Sequence, residues 1–170
     1  SSFFKFLGSF HEEYMSDYNR STKEVPFEQI SSDVMQTINK YIELHTLGDI
    51  LVNASLCIVS TSEKAKKGLF SGSGPKLLVE TVILTDRWLI LADRVDQNAI
   101  FIKSMQLRDI VVEDYEKSLF YSKIPDTGMN ISGMFTDASE KGMIFLPLGK
   151  DAVGEKFKEA LIKSVQDAKK

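Results

Sequence analysis

Few residues in this chain have types and spacings that could do chemistry. His11 and His45 are the only histidines. His11 opens the run His11-Glu12-Glu13-Tyr14-Met15, which has no second histidine one helical turn on. The pair of imidazoles that a zinc-protease helix presents on one face is therefore missing, and both histidines read as surface side chains. Cys57 is the only cysteine. It excludes an internal disulfide and a cysteine-rich zinc site, fits a reducing intracellular compartment, and reads as a buried structural thiol in a strand. Glu113, Asp114 and Glu116 crowd together, but neighbours on a strand point to opposite faces, so they read as a solvated edge rather than converging acids. Gly72-Ser73-Gly74 lacks the endings of a dinucleotide fingerprint or a P-loop, and no nucleophile elbow occurs. No catalytic residue, metal or cofactor is expected.

The remaining candidate is the segment 61–76. Lys64, Lys66, Lys67 and Lys76 face a single acid, Glu63, and Leu69 and Phe70 sit among them beside Gly68, Gly72 and Gly74. Ammonium groups and the amides of glycine-rich turns gather anionic oxygens. A solvated loop is the plain alternative. The whole chain, with 21 basic and 24 acidic residues and a net charge of −3, is not a generally basic nucleic-acid binder. With 170 residues and a hydrophobic fraction of 43%, it can bury a core without a metal or disulfide staple.

The elements that must hold these residues change in kind near Gly48. Before it the pattern is helical. Phe3, Phe6, Leu7, Phe10 and Tyr14 form one stripe; after a polar break over 19–24 and Pro26, Ile30, Val34, Ile38 and Ile42 form a second. The first stripe has Lys5 against Glu12, Glu13 and Asp17, which suits packing on protein better than on an anionic membrane. Its start lacks a basic region and cleavage site, so no signal peptide is expected. After Gly48 the pattern is β: strands are predicted over residues 50–60, 77–84, 88–93, 99–103, 107–113, 119–124, 130–135 and 142–148, with turns at 85–87, 96–98 and 125–128. Asp151 is a candidate N-cap. Behind it Val153, Phe157, Ala160, Leu161, Val165 and Ala168 mark a closing helix. The apolar runs are too short to span a bilayer as helices. Trp88 and Tyr115 read as core or edge residues.

This order predicts a mainly β (α+β) fold: an antiparallel barrel of about seven strands capped by a C-terminal helix, in residues 49–170, with a helical N-terminal extension in 1–48. The run Thr81-Val82-Ile83-Leu84-Thr85-Asp86-Arg87-Trp88-Leu89-Ile90-Leu91 resembles the second hairpin of pleckstrin-homology-like domains, particularly their GRAM and bacterial forms. Ile100-Phe101-Ile102 through Leu107-Arg108-Asp109-Ile110 resembles the strands that follow, and residues 142–168 the last strand and capping helix. The resemblance covers roughly residues 50–168. It implies a non-catalytic module that binds a protein partner as an adaptor or scaffold, or one that holds anionic lipid headgroups in the loop between its first two strands. In the second case Lys64, Lys66, Lys67 and Lys76 are the headgroup ligands, each worth about 1 kcal/mol near a charged membrane, and Leu69 and Phe70 dip into the bilayer surface. The family's lipid binders follow the loop lysine with a basic-x-Arg. Here Lys76 is followed by Leu77 and Leu78, which favours the protein-binding reading. The expected location is cytoplasmic, or peripheral at a membrane.

Overall fold

The computed structural model describes residues 18–65 and 74–170. The first helical stripe, with His11, therefore lies outside the described residues. Eight strands follow in chain order: β1 Tyr18–Glu24, β2 Leu56–Lys64, β3 Leu77–Leu84, β4 Trp88–Val95, β5 Ile100–Gln106, β6 Ile110–Asp114, β7 Gly128–Gly133 and β8 Gly142–Pro147. Helix α1 is Ser32–Leu44 and helix α2 is Ala152–Ala168. β1 to β5 form one antiparallel sheet in sequential order, and β6 to β8 form a second.

The described strands do not close into the expected barrel: no ladder joins β5 to β6 or β1 to β8. The sheets are held by packing and by single bonds. Ser60 Oγ on β2 donates to the Pro147 carbonyl at 2.7 Å, and the Gly149 amide donates to Thr22 Oγ1 at 2.7 Å. The Arg20 guanidinium on β1 reaches Asp126, just ahead of β7, through Nε at 2.7 Å and NH2 at 2.8 Å.

β1 is the main surprise. Residues 19–24, read as a polar break between helices, are a strand paired with β2 from Tyr18↔Lys64 to Glu24↔Ile58. Only Thr22 on it is buried, so no hydrophobic alternation marks it; its stability comes from the ladder. The described part of the N-terminal segment thus supplies a strand as well as a helix. β2 starts and ends later than expected, because pairing on both sides carries it through the polar residues 61–64. The strand expected over 119–124 is absent. Tyr115 is buried and its hydroxyl donates to the Ile124 carbonyl at 2.7 Å, closing residues 115–124 into a turned loop with Leu119 at its exposed surface.

Strand alternation explains the two cores. Leu56, Ile58, Val82, Leu84, Leu89, Leu91 and Met105 face inward, against Met129, Ile131 and Leu146 of the second sheet and Phe157, Leu161 and Val165 of α2. Full burial of each such side chain is worth about 1.5–3 kcal/mol. Asp151 caps α2 as expected, its Oδ1 accepting from the Gly154 amide at 2.8 Å. Cys57, Ile83, Ile90 and Ala92 face outward and meet Val34 and Ile38 of α1. Because both faces of β3 are covered, Glu80 to Leu84 are buried without a break. At the start of β7, Gly128 has φ +152°, and a Cβ there would stand 2.1 Å from the Leu146 carbonyl oxygen, so only glycine fits.

Candidate functional site

Two of the four candidate anion ligands, Lys64 and Lys76, lie among the described residues. Lys64 ends β2 and Lys76 precedes β3; the Lys64 amide donates to the Lys76 carbonyl at 2.9 Å, bringing the two lysines together at the base of a hairpin. Asp96 Oδ1 accepts from the amides of Lys76 and Leu77 at 2.7 and 2.8 Å, fixing that base. Lys66, Lys67, Leu69 and Phe70 lie outside the described residues.

Of the residues weighed for catalysis, Cys57, His45 and the acids near Glu113 lie among the described ones. Cys57 is buried in the outer core, and burial first, then Glu28 and Glu24, push its thiol up to about 11, so it is not poised as a thiolate nucleophile. His45 Nδ1 lies 2.7 Å from Asp137 Oδ2, and its ring packs edge-on against Tyr41. The acidic cluster is less solvated than expected. Asp114 and Glu116 turn toward Lys158 Nζ on α2, at 3.4 and 3.8 Å, and Glu155 joins them at 3.3 Å. Burial alone would lower the Lys158 ammonium; the Asp114 and Glu155 carboxylates outweigh it and raise its pKa. This is a clamp between α2 and the end of β6, whereas Glu113 stays exposed. No group of three or more metal-ligating side chains forms among the described residues. None of the described helices is long and apolar enough to cross a membrane.

What sequence reasoning missed is a groove on the outer face of the five-stranded sheet. Its volume is about 640 Å³, its floor is Val59, Leu77, Val79 and Thr81, and one wall is Ile30, just ahead of α1, and Val34 in its first turn. Its position follows from simple dimensions. Five strands spaced about 4.8 Å apart make a sheet about 19 Å across between outer strand axes, and a helix covers about 10 Å of that width. α1 covers the β4–β5 side, where the Tyr41 hydroxyl meets Ser104 Oγ at 2.8 Å. The β2–β3 side is left as the groove. The Arg94 NH2 donates to Asp33 Oδ2 at 2.6 Å and pins the first turn of α1 to β4. That hydrogen bond, above all, holds the Asp33 carboxyl down at about 2. The signal was present in the alternation of β3: Leu77 and Val79 continue the outward apolar row past the point where Val34, Ile38 and Ile42 of α1 can reach.

Comparison with protein-family models, with curated proteins and with solved structures gives no match for this chain.

Proposed function

We propose that this chain is a non-catalytic, pleckstrin-homology-like interaction module, and that its outer-face groove receives the apolar side of a helix from a protein partner. The order of elements supports the fold reading: four sequential strands, β2 to β5, then three, β6 to β8, then a helix packed on the core between the sheets. The observation that carries the functional reading is the groove, with Val59, Leu77 and Val79 as an apolar floor beside α1. The uncovered width matches one more helix laid alongside α1 at the usual spacing of about 10 Å, and apolar anchors in such a groove are a common recognition mode.

The test is a photo-crosslinking amino acid placed at Val79 and, as a control, at exposed Leu119. The reading expects one protein to be captured from Val79 alone, and its binding to be lost in Val79→Glu while the unfolding midpoint stays unchanged. Equal capture from both positions, or full binding by a folded Val79→Glu chain, would sink it.

A second reading is favoured by one observation, the pairing of Lys64 and Lys76 at the hairpin base. With Lys66 and Lys67 they would hold anionic lipid headgroups. Co-sedimentation with anionic and neutral vesicles at low and physiological salt decides it. Binding to anionic vesicles alone, lost when the four lysines become Ala, supports the lipid role; no partition into either type removes it.

A further inference from the structure

The inward face of the large sheet is apolar for half its length and polar for the rest. Past Ile58, Val82 and Leu91, alternation turns Ser60 and Ser62 of β2, Glu80 of β3 and Asp93 of β4 toward the interior. Glu80 and Asp93 stand directly opposite each other in the β3–β4 register. Side chains so placed have Cβ atoms about 4.5–5.5 Å apart, and like charges there repel. Both residues are buried, at 5% and 9% exposure. Each carries one buried oxygen without a partner, Glu80 Oε2 and Asp93 Oδ1. A buried acceptor left unpaired costs about 1–3 kcal/mol, and more when charged.

The surrounding charges of the described residues do not neutralise two carboxylates. Among the described residues, Lys103 on β5 is the one cation in contact, its Nζ 3.4 Å from Asp93 Oδ2. Arg20 on β1 is committed, bonding Asp126 by both arms of its fork and Ser62 Oγ through NH1 at 2.6 Å. From β2, the Ser60 hydroxyl is spent on the Pro147 carbonyl. Arg20 and Asp126 cancel, as do Lys103 and one of the two acids. One negative charge remains inside unless a proton removes it.

We propose that Glu80 and Asp93 hold one proton between them, with Glu80 as a neutral acid donating to Asp93 Oδ1, and that loss of this proton loosens the end of the sheet where β2 finishes and β3 begins. One proton on Glu80 converts an orphaned acceptor into a donor, and its cross-strand partner supplies the orphaned acceptor. Both open bonding positions are satisfied together, and the cluster becomes electrically neutral. The direction of titration agrees. Burial first, and then the Asp93 charge, push Glu80 well above the usual carboxylate range against the pull of Lys103 and Arg20; burial raises Asp93 against Lys103. The folded state therefore binds this proton more tightly than the unfolded chain does. Its contribution to stability is complete below the ordinary glutamate value of 4.5 and is lost as pH rises through the folded value.

The experiment is a carbon-13 titration of the side-chain carboxyls in the full chain, from about pH 5 to pH 9, alongside Glu80→Gln and Asp93→Asn. Glutamine keeps the shape and offers Asp93 a permanent N–H donor. The expected result is one carboxyl still protonated above the usual carboxylate range, absent in Glu80→Gln and titrating at lower pH in Asp93→Asn. The unfolding equilibrium constant of the wild type should rise with pH relative to Glu80→Gln, by up to tenfold per pH unit for one linked proton. The amides of Ser62 and Leu78 should exchange faster with rising pH in the wild type than in Glu80→Gln. If every carboxyl is ionised by about pH 5, the shared proton is refuted, and that reading needs only the wild type even where a variant fails to fold. A protonated carboxyl with identical exchange in both chains at every pH would overturn the loosening.

Discussion

The Arg20–Asp126 pair gives the sharpest test of how the two sheets are held. Both side chains are nearly sealed from water, at 8% and 4% exposure. The contact is bidentate, a third arm of the guanidinium reaches Ser62, and the rings of Tyr18 and Phe145 lie 5.2 and 5.7 Å from Cζ. Asp126 Oδ1 also accepts from the Thr127 amide at 2.7 Å. Asp126→Ala removes the carboxylate and leaves the guanidinium buried without its counter-charge. Breaking a buried pair from one side costs about 3–5 kcal/mol. For a chain of this size that is a fall of about 6–20 °C in Tm, at about 2–4 °C per kcal/mol. The large part of that loss is the stranded charge rather than the net value of the pair. The double change Arg20→Met with Asp126→Leu, which removes both charges and keeps apolar volume, should therefore lie within about 1 kcal/mol of the wild type. Urea unfolding of the wild type, Arg20→Met, Asp126→Leu and the double variant measures the cycle directly, with Asp126→Ala run alongside. A loss under about 1 kcal/mol in Asp126→Ala, or a double variant as unstable as the sum of the singles, would refute the reasoning.

Asp151 serves two elements at once, Oδ1 capping α2 at Gly154 and Oδ2 accepting from the Thr22 amide on β1 at 2.9 Å. Asp151→Ala should cost about 1–3 kcal/mol in urea unfolding and Asp151→Asn, which keeps one acceptor oxygen, clearly less; equal losses would show that one of the two bonds carries no energy. Cys57, with its thiol pushed up to about 11, should stay unmodified by a thiol reagent at neutral pH in the native protein and react at a rate set by unfolding. Rapid stoichiometric labelling without denaturant would contradict its burial.

Legibility in the sequence followed the strength of local patterns. Helix α2 was readable because its stripe is unbroken and Asp151 marks its start. β3 and β4 were readable because a continuous apolar run is interrupted by Thr85-Asp86-Arg87, where Thr85 Oγ1 does accept from the amides of Arg87 and Trp88, at 3.1 and 2.8 Å. β1 was not, since an edge strand with one buried side chain earns its place through non-local pairing, which no window of sequence contains. The strand expected at 119–124 failed for the converse reason: its apolar residues suggested burial, but the Tyr115–Ile124 bond bends the chain and leaves Leu119 in water. The acids near Glu113 read as a solvated edge because Lys158, which gathers two of them, lies more than forty residues away. The groove left only a partial trace, the outward row of Leu77 and Val79 on β3, because its extent is a property of width: how much sheet one helix leaves bare.

The groove and the acid pair are two sides of the same strands. Alternation puts Glu80 inward between Val79 and Thr81, both on the groove floor, and Asp93 inward between Ala92 and Arg94, which also border it. Any shift of β3 against β4 that separates two ionised carboxylates must move those outward neighbours, because a strand carries its two faces on one backbone. Arg94 is doubly placed, since its bond to Asp33 sets where α1 begins. If a helix docks in the groove only when this register is tight, docking and protonation favour the same state, and linkage makes the coupling reciprocal. Partner affinity should then weaken as pH rises in the wild type and stay level in Glu80→Gln, while bound partner should shift the Glu80 titration upward. Matching pH profiles for the two chains would show the faces to be independent, and would leave the shared proton as a matter of stability alone.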